Sequence, residues 1–334
     1  MTGVQTCALP IYDNLTPIDI VKFASAYGSW LKSSSNGPKK VVVGRDGRMS
    51  GTMVEALVEH SLLALGIDVI HLGLSTTPTV EMAVVFEKAD GGIILTASHN
   101  PKEWNALKLL NHKGEFVSAE EGKTILTIAA NEDFNYATVD HLGKLISDNN
   151  SLDKHIEAII NYPLVNIAAI KAANFSVVVD AINSSGAFSV PALLSALGVS
   201  KIKVLNPEMT GDFAHNPEPL KEHLADLCNT VTKENAHLGI AVDPDVDLRA
   251  HDRLDNHRDR IGQTCHNQRG DDGVAGFAAD QDAAHRPRRA DAHARGAPLD
   301  LGARRVGQVR PMAFARVDDE HPEFACLPQQ RLAG

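Results

Sequence analysis

Two hydrophobic rhythms alternate along this chain from Asn14 to about Asp247. One is the short continuous apolar run: "KKVVVG" up to Gly44, "DVIHLG", and "GGIILT" with Ile93-Ile94-Leu95. Runs of this kind suit strands buried on both faces. The other is a helical stripe. Ile18, Val21, Phe23 and Ala24 begin one that runs to about Leu31, with Thr16 as N-cap and Pro17 at the first helical position. Thr52 to Leu65 makes a second, stopped by Gly66. "TTPTVEMAVVFEKA" makes a third, and Ala119 to Ala130 closes the unit. Gly37-Pro38 is a turn and "GRDGRMSG" a polar loop.

A helix from Ser151 to about Tyr162 bridges to a second unit. There "FSVVVD" and "KIKVLN" are strands around a helix from Ala187 to Leu197. The long loop "PEMTGDFAHNPEP" precedes a helix over Lys221 to Asn235 and a last strand in "HLGIAVD". Strand–helix alternation predicts an α/β fold with mixed, mostly parallel sheets flanked by helices. The units span residues 13–148 and 149–247, the second incomplete.

The rhythm fails at both ends. "MTGVQTCALPI" has no cap, no period and no obvious partner, so residues 1–12 read as a non-native leader. Up to Asp247 the chain has sixteen Lys and two Arg; beyond it there are fourteen Arg and no Lys. Residues 248–334 have no period of 2 or 3.6 and read as an irregular Arg-rich tail. Either the tail is a basic disordered segment or the reading frame changes near Asp247, and the abrupt Lys-to-Arg switch favours the frame change.

Bulk properties narrow the function. A chain of 334 residues suggests about two domains. The formal charge of −10 argues against nucleic acid as partner. No run reaches the ~20 apolar residues of a membrane span, and the start lacks the order of a signal peptide. Cys7, Cys228, Cys265 and Cys326 form no CxxC and read as thiols of a cytoplasmic protein.

Three places carry candidate chemistry. Asp243, Asp245 and Asp247 alternate at a strand end, and in an extended chain they point the same way. Three such carboxylates suit a hard cation such as Mg²⁺, although Asp-Pro-Asp is also ordinary turn chemistry. Ser98 ends a strand where open α/β sheets place ligands. His99 beside it need not point the same way. Arg45, Arg48 and Lys108 supply positive charge, and Lys108 sits among apolar neighbours that would lower its pKa. Phosphoryl transfer unites these parts, since it needs cations around developing oxyanion charge.

"TASHNP" at Thr96 to Pro101 resembles the phosphoserine loop of the α-D-phosphohexomutase family. "GIAVDPDVD" is similar to its metal loop, "GRDGRMSG" to its early arginine loop and "GDFAHNPEP" to its second-domain loop. The resemblance implies the first domain and most of a second of a four-domain fold. It implies that Ser98 carries a phosphoryl group and passes it between the 1 and 6 positions of a hexose phosphate through a bisphosphorylated sugar. Ser98, Asp243, Asp245 and Asp247 would hold Mg²⁺. His99 and Lys108 would aid proton transfer and charge, and Arg45 and Arg48 would contact phosphate. Three departures stand out: no serine-glycine-arginine loop opens the chain, Leu248 follows the last aspartate where arginine is expected, and Asn105-Ala106 replaces Asn-Gly.

The expected substrate is a hexosamine phosphate, glucosamine phosphate first, with a phosphomannomutase or phosphoglucomutase as alternative. Without recognisable third and fourth domains, the chain as written is expected to turn over little or no sugar. Two other classes compete: a phosphoserine protein that only releases phosphate, and a binding module whose tail touches nucleic acid.

Overall fold

The computed structural model describes residues 9–11, 15–34 and 37–247. The tail at 248–334, with Leu248, lies outside the described residues, as does most of the leader.

Helix α1 (Pro17–Ser34) starts where the cap signal stands. The Thr16 hydroxyl accepts from Asp19 N, and the Asp19 carboxylate accepts from Thr16 N at 2.9 Å, a reciprocal cap. Strand β2 (Lys39–Arg45), α2 (Gly51–Ala64), β3 (Ile67–Leu74), α3 (Thr77–Phe86) and β4 (Gly91–Leu95) follow close to expectation, with α3 ending three residues before the expected Ala89. Gly66 has φ +78°, a conformation natural to the glycine that ends α2.

The first sheet has the order β6-β4-β2-β3-β7, where β6 is Leu107–Leu110 and β7 is Leu145–Ser147. All its pairs are parallel except β4–β6. Helix α4 (Ala119–Asn131), opened by a Ser118–Glu121 capping box, packs beside α1. The pleat divides the core. Val41, Val43, Ile93, Leu95, Leu107 and Leu109 face α1, α2 and α4. Val42, Ile70, Ile94 and Leu110 face α3. Continuous apolar runs are therefore what a sheet covered on both sides requires.

The "leader" is not wholly without a partner. Its strand β1 (Leu9–Pro10) pairs antiparallel with β5 (Trp104–Asn105), and Ile11 N donates to Glu103 O at 2.9 Å. Leu9 and Ile11 pack against the core.

Helix α5 (Ser151–Ile160) touches α3 on one side and α7 on the other, as a bridge should. A short unforeseen helix, α6 (Ile167–Ala173), precedes β8 (Ser176–Asp180), α7 (Gly186–Ala196) and β9 (Lys201–Leu205). The expected helix over Lys221 to Asn235 divides into a 3-10 turn, Lys221–His223, and α8 (Ala225–Lys233). With β10 (Leu238–Ala241) the second sheet is parallel, in the order β10-β8-β9. Val178 packs on α8, and Val177 and Val179 pack toward α7. Cys228 is partly buried against the cluster that α8 forms with β8, and the other three cysteines lie outside the described residues. No helix of the described residues is long and apolar enough to cross a membrane.

Tyr27 fastens α1 to the sheet: its hydroxyl reaches Leu110 O at 2.7 Å and Gly92 O at 3.2 Å. A buried hydroxyl of this kind is worth about 1–2 kcal/mol. Tyr27→Phe is expected to lose that much in urea unfolding. An unchanged midpoint would show that the two carbonyls do not depend on it.

Candidate active site

Strand β4 delivers Ser98 three residues past its end, at φ +48°, a left-handed conformation uncommon for serine. Ser98 N donates to Thr96 Oγ1 at 2.9 Å, and Thr96 Oγ1 donates to Asp46 Oδ2 at 2.7 Å. Arg48 does the rest. It is 1% exposed, and its Nε donates to Asp46 Oδ2 at 3.0 Å. Its two terminal nitrogens donate to Pro101 O, Trp104 O, Asn100 O and Ser98 O at 2.5–3.0 Å. The guanidinium also lies 5.1 Å from the Phe213 ring centre.

The donors of Arg48, expected from sequence to meet a phosphate, go here to Asp46 and to the carbonyls of the Ser98 loop. Arg45 likewise turns away. It donates from Nε to Glu55 Oε2 at 2.9 Å, on the sheet face that α2 covers. His99 is half-buried in the loop beside Ser98.

The three aspartates do not lie in an extended strand. Strand β10 ends at Ala241, and Val246, at φ +58°, closes a turn in which Val246 N donates to Asp243 O and Asp247 N to Asp243 Oδ1. The turn brings Asp243 to Ser98, whose Oγ donates to Asp243 Oδ2 at 2.7 Å. Asp245, fully buried, meets the start of α3: Thr77 Oγ1 donates to its Oδ2 at 2.6 Å and Thr77 N to its carbonyl at 2.9 Å. Sequence reasoning missed Thr77, although "TTP" marked a helix start there.

Lys108 pairs opposite Ile94 in β6, so it emerges on the α3 face and reaches the same carboxylate. Its Nζ lies 2.8 Å from Asp245 Oδ2 and 3.8 Å from Asp247 Oδ2. Burial by itself would lower the lysine pKa, as expected from its apolar neighbours. Asp245, Asp247 and Asp243 outweigh it, and the net shift is upward. Burial opposes ionisation of Asp245 too, but Lys108, Asp243 and Thr77 bring its pKa down to about 2. Asp243 is pushed up, first by burial and then by the neighbouring Asp245 charge.

The donor set of Ser98 and the three aspartates is all hard oxygen, and Asp245 Oδ1 is buried with no hydrogen-bond partner. That orphaned oxygen beside a crowded carboxylate fits a hard cation such as Mg²⁺. The aspartates do not yet gather within ligand spacing. Among the described residues the tight group of possible ligands is elsewhere, at Glu55, Glu59 and His71.

The loop "GDFAHNPEP" folds back on the end of β8. His215 Nε2 lies 2.9 Å from Asp180 Oδ2, and its Nδ1 lies 2.8 Å from Asn216 O. Two acceptors around one ring favour the imidazolium. The Asp180 hydrogen bond leads in raising the His215 pKa, against burial. Burial raises Asp180, but His215 and Asn206 outweigh it and its pKa falls.

Residues 10–136 match the family described as phosphoglucomutase/phosphomannomutase, alpha/beta/alpha domain I, and residues 153–250 match its alpha/beta/alpha domain II. A phosphoglucomutase/phosphomannomutase of Thermococcus kodakarensis is 37% identical over 70% of this chain and 51% of its own length. A phosphoglucosamine/phosphogalactosamine mutase of Sulfurisphaera tokodaii is 33% identical over 70% of this chain and 50% of its own. A solved phosphoglucomutase/phosphomannomutase family protein of Burkholderia thailandensis superposes with a TM-score of 0.64 at 25% identity, over 73% of this chain and 52% of its own. The chain thus spans about half the length of the relatives it matches.

Two outcomes follow from this geometry. Arg48→Ala leaves Asp46 buried without its counter-charge and is expected to cost about 3–5 kcal/mol in urea unfolding; a loss below about 1 kcal/mol would mean that water replaces the guanidinium. The His215–Asp180 pair stabilises most between the ordinary values of the two groups, 3.8 and 6.5. The His215 contribution is full below its ordinary value and lost as pH rises through its elevated one; the Asp180 contribution is lost as pH falls through its depressed one. The melting temperature of His215→Gln is expected to fall furthest below the parent at about pH 5.5 and to converge on it toward about pH 9. A gap constant across that range would refute the ion pair.

Proposed function

The chain belongs to the phosphoglucomutase/phosphomannomutase family, and from that premise we propose that Ser98 carries a phosphoryl group and exchanges it with a hexose phosphate. The observation that supports this most is the setting of one hydroxyl. Ser98 Oγ donates to Asp243 Oδ2 at 2.7 Å, from a loop anchored by Arg48.

In the proposed cycle a sugar hydroxyl attacks the phosphorus on Ser98. The bond from phosphorus to Ser98 Oγ breaks as the bond to the sugar oxygen forms, the hydroxyl proton passes from the sugar to the leaving Ser98 Oγ with His99 as the proposed carrier, and the sugar then carries two phosphoryl groups. After the sugar reorients, Ser98 Oγ receives the other one. Ser98, Asp243, Asp245 and Asp247 would hold Mg²⁺, which when bound withdraws charge from phosphoryl oxygens. Lys108 remains cationic beside Asp245 and Asp247 and supplies fixed positive charge. Arg48 fixes the direction of the Ser98 hydroxyl without touching the sugar.

Glucosamine phosphate is the proposed substrate of the whole protein. The Sulfurisphaera relative is named for amino sugars, and so is a phosphoglucosamine mutase of Methanococcus maripaludis, 34% identical to this chain. The Thermococcus relative is named for glucose and mannose, which keeps that alternative.

The test is transfer onto the protein. Incubation with glucosamine 1,6-bisphosphate and Mg²⁺ is expected to place one phosphoryl group on the peptide that contains Ser98, read by mass spectrometry. Ser98→Ala abolishes it, and Lys108→Met slows it about 10²–10³-fold. A phosphoryl group on another residue, or none, overturns the assignment. Faster transfer from glucose 1,6-bisphosphate moves the substrate to the neutral hexoses.

A further inference from the structure

On the other face of the first sheet, away from Lys108, a second constellation has no part in the proposed cycle. Glu55 and Glu59 stand four residues apart on α2, so one helical face presents both. His71 lies two residues after Val69 in β3, on the pleat face that α2 covers. Arg45 comes to the same face from β2, two residues after Val43. A register shift between Val43 and Gly44 sets Arg45 opposite Leu74 rather than opposite Gly73. The sheet and helix thus gather two carboxylates and an imidazole, with one guanidinium behind them.

One carboxylate oxygen is out of balance. Glu55 is 5% exposed. Its Oε2 accepts from Arg45 Nε at 2.9 Å, but its Oε1 is buried with no hydrogen-bond partner. That oxygen is aimed into the cluster, 3.7 Å from His71 Nδ1. Glu59 Oε1 lies 2.6 Å from the same nitrogen. Ligand atoms of Glu55, Glu59 and His71 all lie within 4.8 Å of one another. A buried, unsatisfied carboxylate oxygen costs free energy that a proton or a cation would recover.

We propose that Glu55, Glu59 and His71 form a binding site for a divalent transition-metal cation of the zinc class. Imidazole with carboxylates is the donor set of such ions, at metal–ligand distances of about 2.0–2.2 Å. Modest side-chain rotation closes the present spacing to that range. His71 gives up its contact with Glu59 and binds through Nδ1, its proton moving to Nε2. Arg45 holds the second oxygen of Glu55 and so orients the first, as outer partners of metal ligands do. The imidazole is 31% exposed, which provides an entry path and room for water to complete the coordination. Magnesium is disfavoured, because it prefers an all-oxygen octahedron.

The site joins α2 to β3, so an ion bound there would stabilise the fold, and the test reads binding and stability. The full chain is stripped with EDTA, supplied with excess Mg²⁺ and titrated with Zn²⁺. The parent is expected to retain one more equivalent of zinc after gel filtration than His71→Gln. Zinc is expected to raise the parent's melting temperature by about 5–10 °C when present about 100-fold above its dissociation constant, and to leave His71→Gln unshifted. Glu59→Gln serves as the second variant should His71→Gln lose its fold. Equal zinc content and equal shifts in parent and variants would overturn the proposal: the cluster would then be a proton-shared ion pair, with zinc held elsewhere on the chain.

Discussion

The buried pair of Asp46 and Arg48 is the interaction on which the site depends. Taking two charges out of water costs several kcal/mol per ion unless every donor and acceptor finds a partner. Here the guanidinium meets Asp46 and four backbone carbonyls of 98–104, while the carboxylate also accepts from Thr96 and from Arg48 N. The loop after β2 and the loop after β4 are consequently one polar body. The left-handed backbone of Ser98 is held because its own carbonyl is among those four.

The same body carries the second sheet's loops. Gly47 N donates to Ser184 Oγ at 3.0 Å, and Ser184 Oγ donates to Pro244 O at 2.6 Å. Gly211, at φ +69°, packs so closely on Gly47 that a Cβ there would collide with the Gly47 carbonyl. The aspartate turn is thereby held against the loop of Arg48, and Asp245 is pinned by Thr77 and Lys108 from either side. All of these contacts except that of Ser184 with Pro244 join segments more than a hundred residues apart in the chain.

Much of this was legible beforehand, and the exceptions share a cause. Strands β2, β4 and β8 announced themselves because burial on both faces demands continuous Val and Ile. Strand β6 went unread, since Lys108 interrupts its apolar run and only the antiparallel pairing with β4 shows that the lysine has a destination. The two-residue strands β1 and β5 carry no period at all; their pairing is decided by proximity. The aspartates were expected on a strand end, and the structure sets them in a turn. A turn with a left-handed Val246 sets their directions, and strand alternation does not. The carbonyl partners of Arg48 could not be read beforehand, because a cation in a loop looks the same in one dimension whether it faces a ligand or a carbonyl.

By itself the sequence determined the type and order of the longer elements and the division into two sheets, and it marked the side chains that are candidates for phosphoryl chemistry. Those properties are written in local periodicity, caps and residue identity, which act over a few positions. Only the tertiary structure decided charge and direction. Lys108 has a raised pKa and Asp245 a depressed one because each stands beside the other, and Arg45 meets Glu55 because α2 covers the face of β2 on which it lies. Electrostatic energies follow distances through space and the exclusion of water, and neither is a property of a position in the chain until the chain has folded.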